Sequence, residues 1–260
     1  MPEDTQFVER IGRVLRCTVS TSENGASLND HALQQTAEAI ADLREGDDTG
    51  CILLVGTGPN FCTGGNVKGF AAAEDVGEHV GAVARSFHAF VLALTEAPVP
   101  VVAAVHGWAA GAGMSIACAA DLVVGGPGTK FRPAYPTIGF SPDGGMSWTL
   151  PRMVGTARAR SILLNDTVLT GPEASELGMI SVLVADAEIA EHALELATKL
   201  ANGPTGALNA IKTLLRDGQQ RGLAEHLDAE ADSIADRAAS AEGREGVRAF
   251  AERRSPTFHA

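Results

Sequence analysis

Gly107-Trp108-Ala109-Ala110-Gly111-Ala112-Gly113-Met114-Ser115-Ile116 sets the architecture of this chain. It follows a β-branched apolar run, Val99 to Val105, and its segment ends at Asp121. That order predicts a strand, a small-residue turn and a helix start. Glycine and alanine let a backbone approach a ligand closely, and the first N–H groups of a helix have no intrahelical partner. Such groups can hold an anion, including one that exists only during a reaction.

The same alternation continues on both sides. Residues 7–20 read as a strand pair around Gly12, and Ser27, Asn29 or Asp30 can cap a helix carrying Leu33, Ala37, Ile40 and Ala41 on one face. Cys51-Ile52-Leu53-Leu54-Val55 reads as a buried strand, with a loop from Gly56 to Asn60. Phe61-Cys62-Thr63-Gly64-Gly65-Asn66 is a second small-residue turn at a strand end. A helix over about 79–95 buries Val80, Val83, Phe87, Val91 and Leu94, and Leu122-Val123-Val124 is a further strand. Strands alternating with helices predict an α/β core with parallel crossovers. From about 186 the pattern is helical only, with Ala190, Ala193, Ala197 and Leu200 on one stripe. The expected division is an α/β core over 1–200 and a helical region over 201–260 that covers the site or joins subunits.

Composition narrows the function classes. Among 260 residues, 45% are hydrophobic and only 5% aromatic, which favours alanine- and glycine-rich α/β packing over a β-sandwich. The net charge is −12 with no basic cluster interleaved with aromatics, so no nucleic acid partner is expected. Local backbone amides still allow a phosphorylated ligand. Cys17, Cys51, Cys62 and Cys118 form no CxxC pair and no metal-ligand spacing, as in a reduced, cytoplasmic chain with core-filling thiols. The acidic N-terminus lacks the apolar core of a signal peptide. No apolar run reaches the roughly 18 residues of a membrane span, so no membrane partner is expected either.

Three segments together resemble the crotonase (enoyl-CoA hydratase/isomerase) superfamily: Phe61 through Lys68, Pro100 through Asp121, and Phe131 through Gly155. Arg244 through Phe250 and Arg254-Ser255-Pro256 resemble that family's C-terminal helix and tail. The resemblance implies a spiral of ββα units with a helical C-terminal region, a homotrimer or hexamer, and an acyl-CoA thioester as ligand. It implies no diffusible cofactor, coenzyme A being part of the substrate. It also implies an oxyanion hole from the backbone N–H groups of Gly65 and Ala112. Taken alone, small residues at those positions also suit tight helix–strand packing.

The acid–base group is the deciding question. The family's hydratases use two glutamates, and the matching positions here are Ser115 and Tyr135. Adding water to a double bond needs one group to activate the water and another to protonate carbon, so a two-glutamate hydratase is disfavoured. Asp143 remains, in Ser141-Pro142-Asp143-Gly144-Gly145-Met146-Ser147-Trp148. Locally, such a turn before a helix suits an N-cap aspartate. The Pro-Asp-Gly-Gly-x-x-Trp pattern, however, resembles the family's ring-1,2-epoxyphenylacetyl-CoA isomerases, where an aspartate here is the acid–base residue. The aryl-CoA dehalogenases of the family place an aspartate here as a nucleophile, with a histidine at the position of His88. Locally, His88 reads as a partly exposed helix residue.

The expected enzyme is thus a double-bond or ring-epoxide isomerase with Asp143 as acid and base. The rivals are an acyl-CoA hydrolase or dehalogenase, a non-catalytic acyl-CoA-binding relative, and a residual hydratase in which Asp143 works alone. The expected substrate-binding positions are Cys62, Gly64, Asn66, Val67, Lys68, Gly111, Ser115, Tyr135, His88 and Trp148. Trp148, Ile138, Phe140 and Met146 are candidates for an apolar wall around Asp143, or for core.

Overall fold

A computed structural model of the chain describes residues 6–22, 25–43 and 48–259. Strands β1 (Val8–Ile11) and β2 (Val14–Ser20) pair antiparallel, and β3 (Cys51–Gly56) joins β2 in parallel. Between them runs α1 (Asp30–Leu43), capped by Asn29, whose Oδ1 accepts the Ala32 N–H at 3.1 Å. It buries Leu33 and Ile40 as the pattern predicts, together with Ala32, Thr36 and Leu43. Ala41, placed on that face from sequence, is exposed.

After β3 come α2 (Val67–Ala72) and α3 (Val76–Glu96), then β4 (Val101–Val105), the short strand β5 (Trp108–Ala110) and α4 (Ala112–Ala119). Next are β6 (Leu122–Gly125) and β7 (Lys130–Arg132), a 3-10 turn over Pro136–Ile138, α5 (Met146–Val154) and α6 (Thr156–Leu164). The rest is β8 (Leu169–Thr170), α7 (Gly171–Glu176), β9 (Val182–Leu183), α8 (Ile189–Ala201), α9 (Thr205–Asp217), α10 (Leu223–Ala239) and α11 (Ala241–Glu252).

A six-stranded sheet, ordered β1-β2-β3-β4-β6-β9, carries the core on both faces. Period-2 alternation sends Ile52 and Leu54 to one face with Val101, Ala103 and Phe87. Cys51, Leu53 and Val55 go to the other, where Val102, Ala104 and Val124 meet Ile189, Ala193, Ala197 and Ala201 of α8. Burial on both faces is why the strands are continuous apolar runs rather than alternating ones.

One expectation needs correction. Residues 108–110, read as part of a turn, form β5 in a second, three-stranded sheet with β7 and β8. Three positions, two of them alanine, offer too little period for sequence to mark a strand. The strand matters because Cys62 bridges Ala109: the Cys62 N–H donates to Trp108 O at 3.0 Å, and the Ala110 N–H to Cys62 O at 2.9 Å. This pairing lays the turn after Phe61 beside the turn after β5.

Helix α9 is fastened to the core by Lys212. Its Nζ donates to the carbonyls of Leu94 and Val99 at 3.1 and 3.3 Å and lies 2.9 Å from Asp121 Oδ2. Helices α10 and α11 pack on α9 and on each other and leave Ile234, Val247 and Phe250 exposed, Phe250 at 88%.

All four cysteines are free and buried, and burial pushes each thiol up to about 12. Thiolate, not thiol, reacts with disulfide reagents. Titration of the native protein near neutral pH is therefore expected to show almost no reaction. Unfolding in denaturant should release the signal of all four thiols. Fast labelling of even one native thiol would contradict the packing.

Candidate active site

Gly111 is the hinge between β5 and α4. Its backbone sits at φ 52, ψ −123, where a Cβ is strongly disfavoured, and its N–H donates to Arg132 O at 3.0 Å. Ala112 follows as the first residue of α4, so its N–H has no intrahelical acceptor. Against this turn lies the other: a Cβ on Gly111 would stand only 3.6 Å from Gly64 Cα. Neither the Gly65 nor the Ala112 N–H donates to any acceptor among the described residues.

Both residues line a cavity of about 460 Å³. Its floor comes from Thr63, Gly64, Gly65, Gly111 and Ala112, and its far side from Ala134, Tyr135, Pro142 and Asp143. The wall is apolar: Val67, Phe70, Val76, Val80, Val83, Ala84, Phe87, Ile138 and Phe140. Asp143 is the sole carboxyl group among the described residues lining it.

The Asp143 side chain does not cap α5. The cap position is Gly145, which makes no side-chain cap bond. Asp143 Oδ1 instead accepts from the Tyr135 hydroxyl at 2.8 Å. Tyr135 Oη is 3.1 Å from Ser115 Oγ, and Ser115 Oγ donates to the main-chain carbonyl of Asp143 at 3.0 Å. Burial, and next the negative Asp143, raise the Tyr135 pKa well above the usual phenol range, so Tyr135 keeps its proton and donates it.

The turn after Asp143 is tightly held. Gly144 has φ +58, and a Cβ there would lie 2.3 Å from a Phe87 ring carbon and 2.8 Å from Ser115 Cβ, so only glycine fits. Its N–H donates to His88 Nε2 at 3.1 Å.

Of the sequence-predicted positions, Gly64, Gly65, Val67, Gly111, Ala112, Tyr135 and Asp143 line the cavity. Others do not, each for a physical reason. Cys62 is fully buried beneath the turn, its backbone spent on β5. Asn66 caps α2, its Oδ1 accepting the Gly69 N–H at 3.1 Å. Lys68 is exposed on α2 away from the cavity. Ser115 is fully buried behind Tyr135, its Oγ 3.1 Å from the phenol oxygen. His88 is occupied by Gly144. Trp148 is 45% exposed on the far side of α5, with Arg152 stacked 3.8 Å over its ring, and Met146 is core; of the proposed apolar wall, only Ile138 and Phe140 stand in the cavity.

Sequence reasoning missed Phe70, Val76, Gly77, Gly81 and Ala84 as lining residues. The signal was present: Gly77, Gly81 and Ala84 fall on the same helical stripe as Phe87. Helix α3 buries only its later half, Phe87 to Leu94; Val80 and Val83, expected in the core, flank the open cavity.

The segment carrying Tyr135 is latched by Asp166. Its carboxylate accepts from Arg132 Nε at 2.9 Å and Nη2 at 2.6 Å, Thr137 Oγ1 at 2.6 Å and the Ala134 N–H at 2.7 Å. Ala134 (φ 63) and Asp166 (φ 49) are both non-glycine residues with left-handed backbones, a cost of about 1–3 kcal/mol each that the latch offsets. Desolvation would raise the Asp166 pKa, but hydrogen bonds from Thr137, Arg132 and Ala134 outweigh it and hold the carboxyl below its usual value. A depressed folded pKa gives stability that is present above the unfolded value of about 4 and lost as pH falls through the folded one. Asp166→Asn is therefore expected to melt below the wild type at pH 7, with the gap closing below about pH 4. Equal melting temperatures at pH 7 would remove the latch.

Two abutting small-residue turns with unpartnered N–H groups, one carboxyl and an apolar wall thus meet in one cleft of a crotonase-type fold. Comparisons with known proteins agree. Residues 10–260 match the family model described as "Enoyl-CoA hydratase/isomerase", and the chain belongs to that family. It is 37% identical to the 1,2-epoxyphenylacetyl-CoA isomerase of Escherichia coli (strain K12), over 94% of each chain. It is 31% identical to the 4-chlorobenzoyl coenzyme A dehalogenase-1 of Arthrobacter sp, over 80% of this chain and 76% of that one. The crystal structure of an enoyl-CoA hydratase from Polaromonas sp. JS666 superposes with a TM-score of 0.91 at 30% identity, covering 97% of this chain and 98% of that one. Among the described residues no helix is long and apolar enough to cross a membrane.

Proposed function

We propose that this enzyme is an acyl-CoA isomerase that moves a double bond, or opens a ring epoxide, through a thioester enolate. Gly65 and Ala112 donate to the enolate oxygen, and Asp143 removes and returns the proton. The observation that carries this is the placement of Asp143: its carboxyl lines the same cavity as the two unpartnered N–H groups and caps no helix. A thioester α-proton is weakly acidic, and two donors aimed at the developing oxyanion supply the missing stabilisation. An isomerisation needs only one group to carry the proton, which suits a cavity lined by a single carboxyl.

Hydration fits less well, because the two positions where a second acid–base group would stand hold Ser115 and Tyr135, whose hydroxyls both donate to Asp143. Nucleophilic use of Asp143 draws support from the likeness to the dehalogenase, but His88 Nε2 is occupied by the Gly144 N–H. No diffusible cofactor enters the scheme, coenzyme A arriving with the substrate. Exposed Ile234, Val247 and Phe250 support assembly as a homotrimer or hexamer, and four free thiols support a cytoplasmic setting. The test is a turnover screen of 2-enoyl-, 3-enoyl-, aryl- and epoxyaryl-CoA with wild type and Asp143→Asn. Conversion of 3-enoyl- or epoxyaryl-CoA to an isomer is expected, with no free acid or halide. Release of free acid or halide, with a trapped aspartyl ester, would transfer the assignment to the hydrolase class.

A further inference from the structure

Resting on that reading of the cleft, we propose that Tyr135, backed by Ser115, is a positioning residue. It engages one carboxylate oxygen of Asp143 and leaves the other as the single atom that lifts and returns the substrate proton.

The hydroxyl inventory argues this way. Tyr135 has one proton, and it goes to Asp143 Oδ1 at 2.8 Å. Ser115 also has one, and it reaches the Asp143 carbonyl at 3.0 Å while its oxygen lies 3.1 Å from the phenol. That carbonyl accepts a second bond, the Met146 N–H at 3.1 Å, so the backbone under the carboxyl is held from two sides. His88 holds the next peptide through the Gly144 N–H. Among the described residues, Oδ2 accepts no hydrogen bond. Rotation about the Cβ–Cγ bond would exchange the two oxygens, and the bond from Tyr135 opposes it.

Ser115 is fully buried and Tyr135 only 8% exposed, so both hydroxyls are held within packed surroundings, and the carboxyl of Asp143 is the part of the network that meets the cavity. The Asp166 latch on the Ala134 N–H fixes the segment that carries the phenol.

The step balances without a further reagent. With a 3-enoyl thioester, Oδ2 takes a proton from C2, and the C–H electrons pass into the enolate whose oxygen the two N–H groups hold. The electrons then return through the allylic system, C4 takes the same proton from Oδ2, and the 2-enoyl thioester and free carboxylate remain. A fixed carboxyl returns the proton it lifted. One free to rotate exposes that proton to exchange with solvent.

The test uses full-length wild type, Tyr135→Phe and Ser115→Ala with 3-hexenoyl-CoA dideuterated at C2, in ordinary water. Mass spectrometry reads deuterium at C4 of the product, beside kcat and KM. Tyr135→Phe is expected to lower kcat about 10- to 100-fold, as for a misplaced reacting group, with KM within about twofold. The share of deuterium returned to C4 should fall in step, and Ser115→Ala should move both readouts less far. Deuterium return at the wild-type level in Tyr135→Phe overturns the proposal, whatever happens to kcat. Crystal structures give an arm independent of turnover. In Tyr135→Phe the Asp143 carboxyl is expected to leave its present rotamer or divide between two, and one unchanged rotamer overturns the proposal. If wild type shifts no double bond, the isomerase reading itself has failed; if it shifts the bond but returns no label, that reading stands. In either case the crystallographic arm decides Tyr135.

Discussion

Asp143→Asn is expected to bind acyl-CoA as the wild type does and to lose about 10²–10⁴ in kcat. The amide keeps the shape of the carboxyl, and its oxygen still accepts the Tyr135 hydroxyl that now lies 2.8 Å from Oδ1. Folding should therefore be nearly unaffected, with a melting temperature close to wild type. An amide is far too weak a base to take a proton from carbon, so the enolate forms much more slowly. Binding is measured by calorimetry with a non-isomerisable acyl-CoA, and turnover with the 3-enoyl- or epoxyaryl-CoA that the wild type converts. A variant that turns over at the wild-type rate, or a wild type whose rapid hydration of crotonyl-CoA survives the substitution, would end the assignment.

The second large effect tests the N–H groups rather than the carboxyl. Ala112 is the first residue of α4, a position that proline favours because the helix makes no use of the N–H there. Ala112→Pro therefore removes one N–H donor and keeps the helix. Removing a single donor from an oxyanion site costs about 10²–10³ in kcat. Ala112→Gly, which keeps the N–H, should stay within a few-fold of wild type. Circular dichroism and melting confirm the fold, and steady-state kinetics give the ratio. If Ala112→Pro folds and retains wild-type kcat, the α4 terminus does not hold the oxyanion.

Much of this fold was legible because β-branched runs and glycine turns report directly on backbone geometry. The run ending at Val105 and the turn at Gly111 predicted strand, hinge and helix, and all three are present. Strand β5 was not legible, since Trp108–Ala110 becomes a strand only through its pairing with β7. Helix α3 shows a related limit. One apolar stripe runs its length, but the first half faces a cavity and the second a core, and periodicity does not distinguish the two.

The site divides in the same way. Gly65, Ala112 and Asp143 could be nominated from motifs, yet whether Asp143 capped its helix or faced the cleft depended on contacts reaching to residues 115 and 135. Trp148 misled because a motif tryptophan on an amphipathic helix has two faces to choose from, and Arg152, four residues on, stacks on it at the outer one. His88 was nominated for its imidazole, but the reason for it is the N–H of a glycine distant in sequence.

The ribosome makes Lys212 long after the segment it fastens. Until that ammonium arrives, Asp121 holds only the Val101 N–H, Leu94 O has only the Ala97 N–H, and the carbonyl of Val99 must turn to water. A nascent polypeptide ending before α9 thus has a loose entry to its central strand, close to the helix that walls the cleft. Completion of the pocket therefore waits on α9, and products truncated before it should be substrates for proteases rather than weak enzymes.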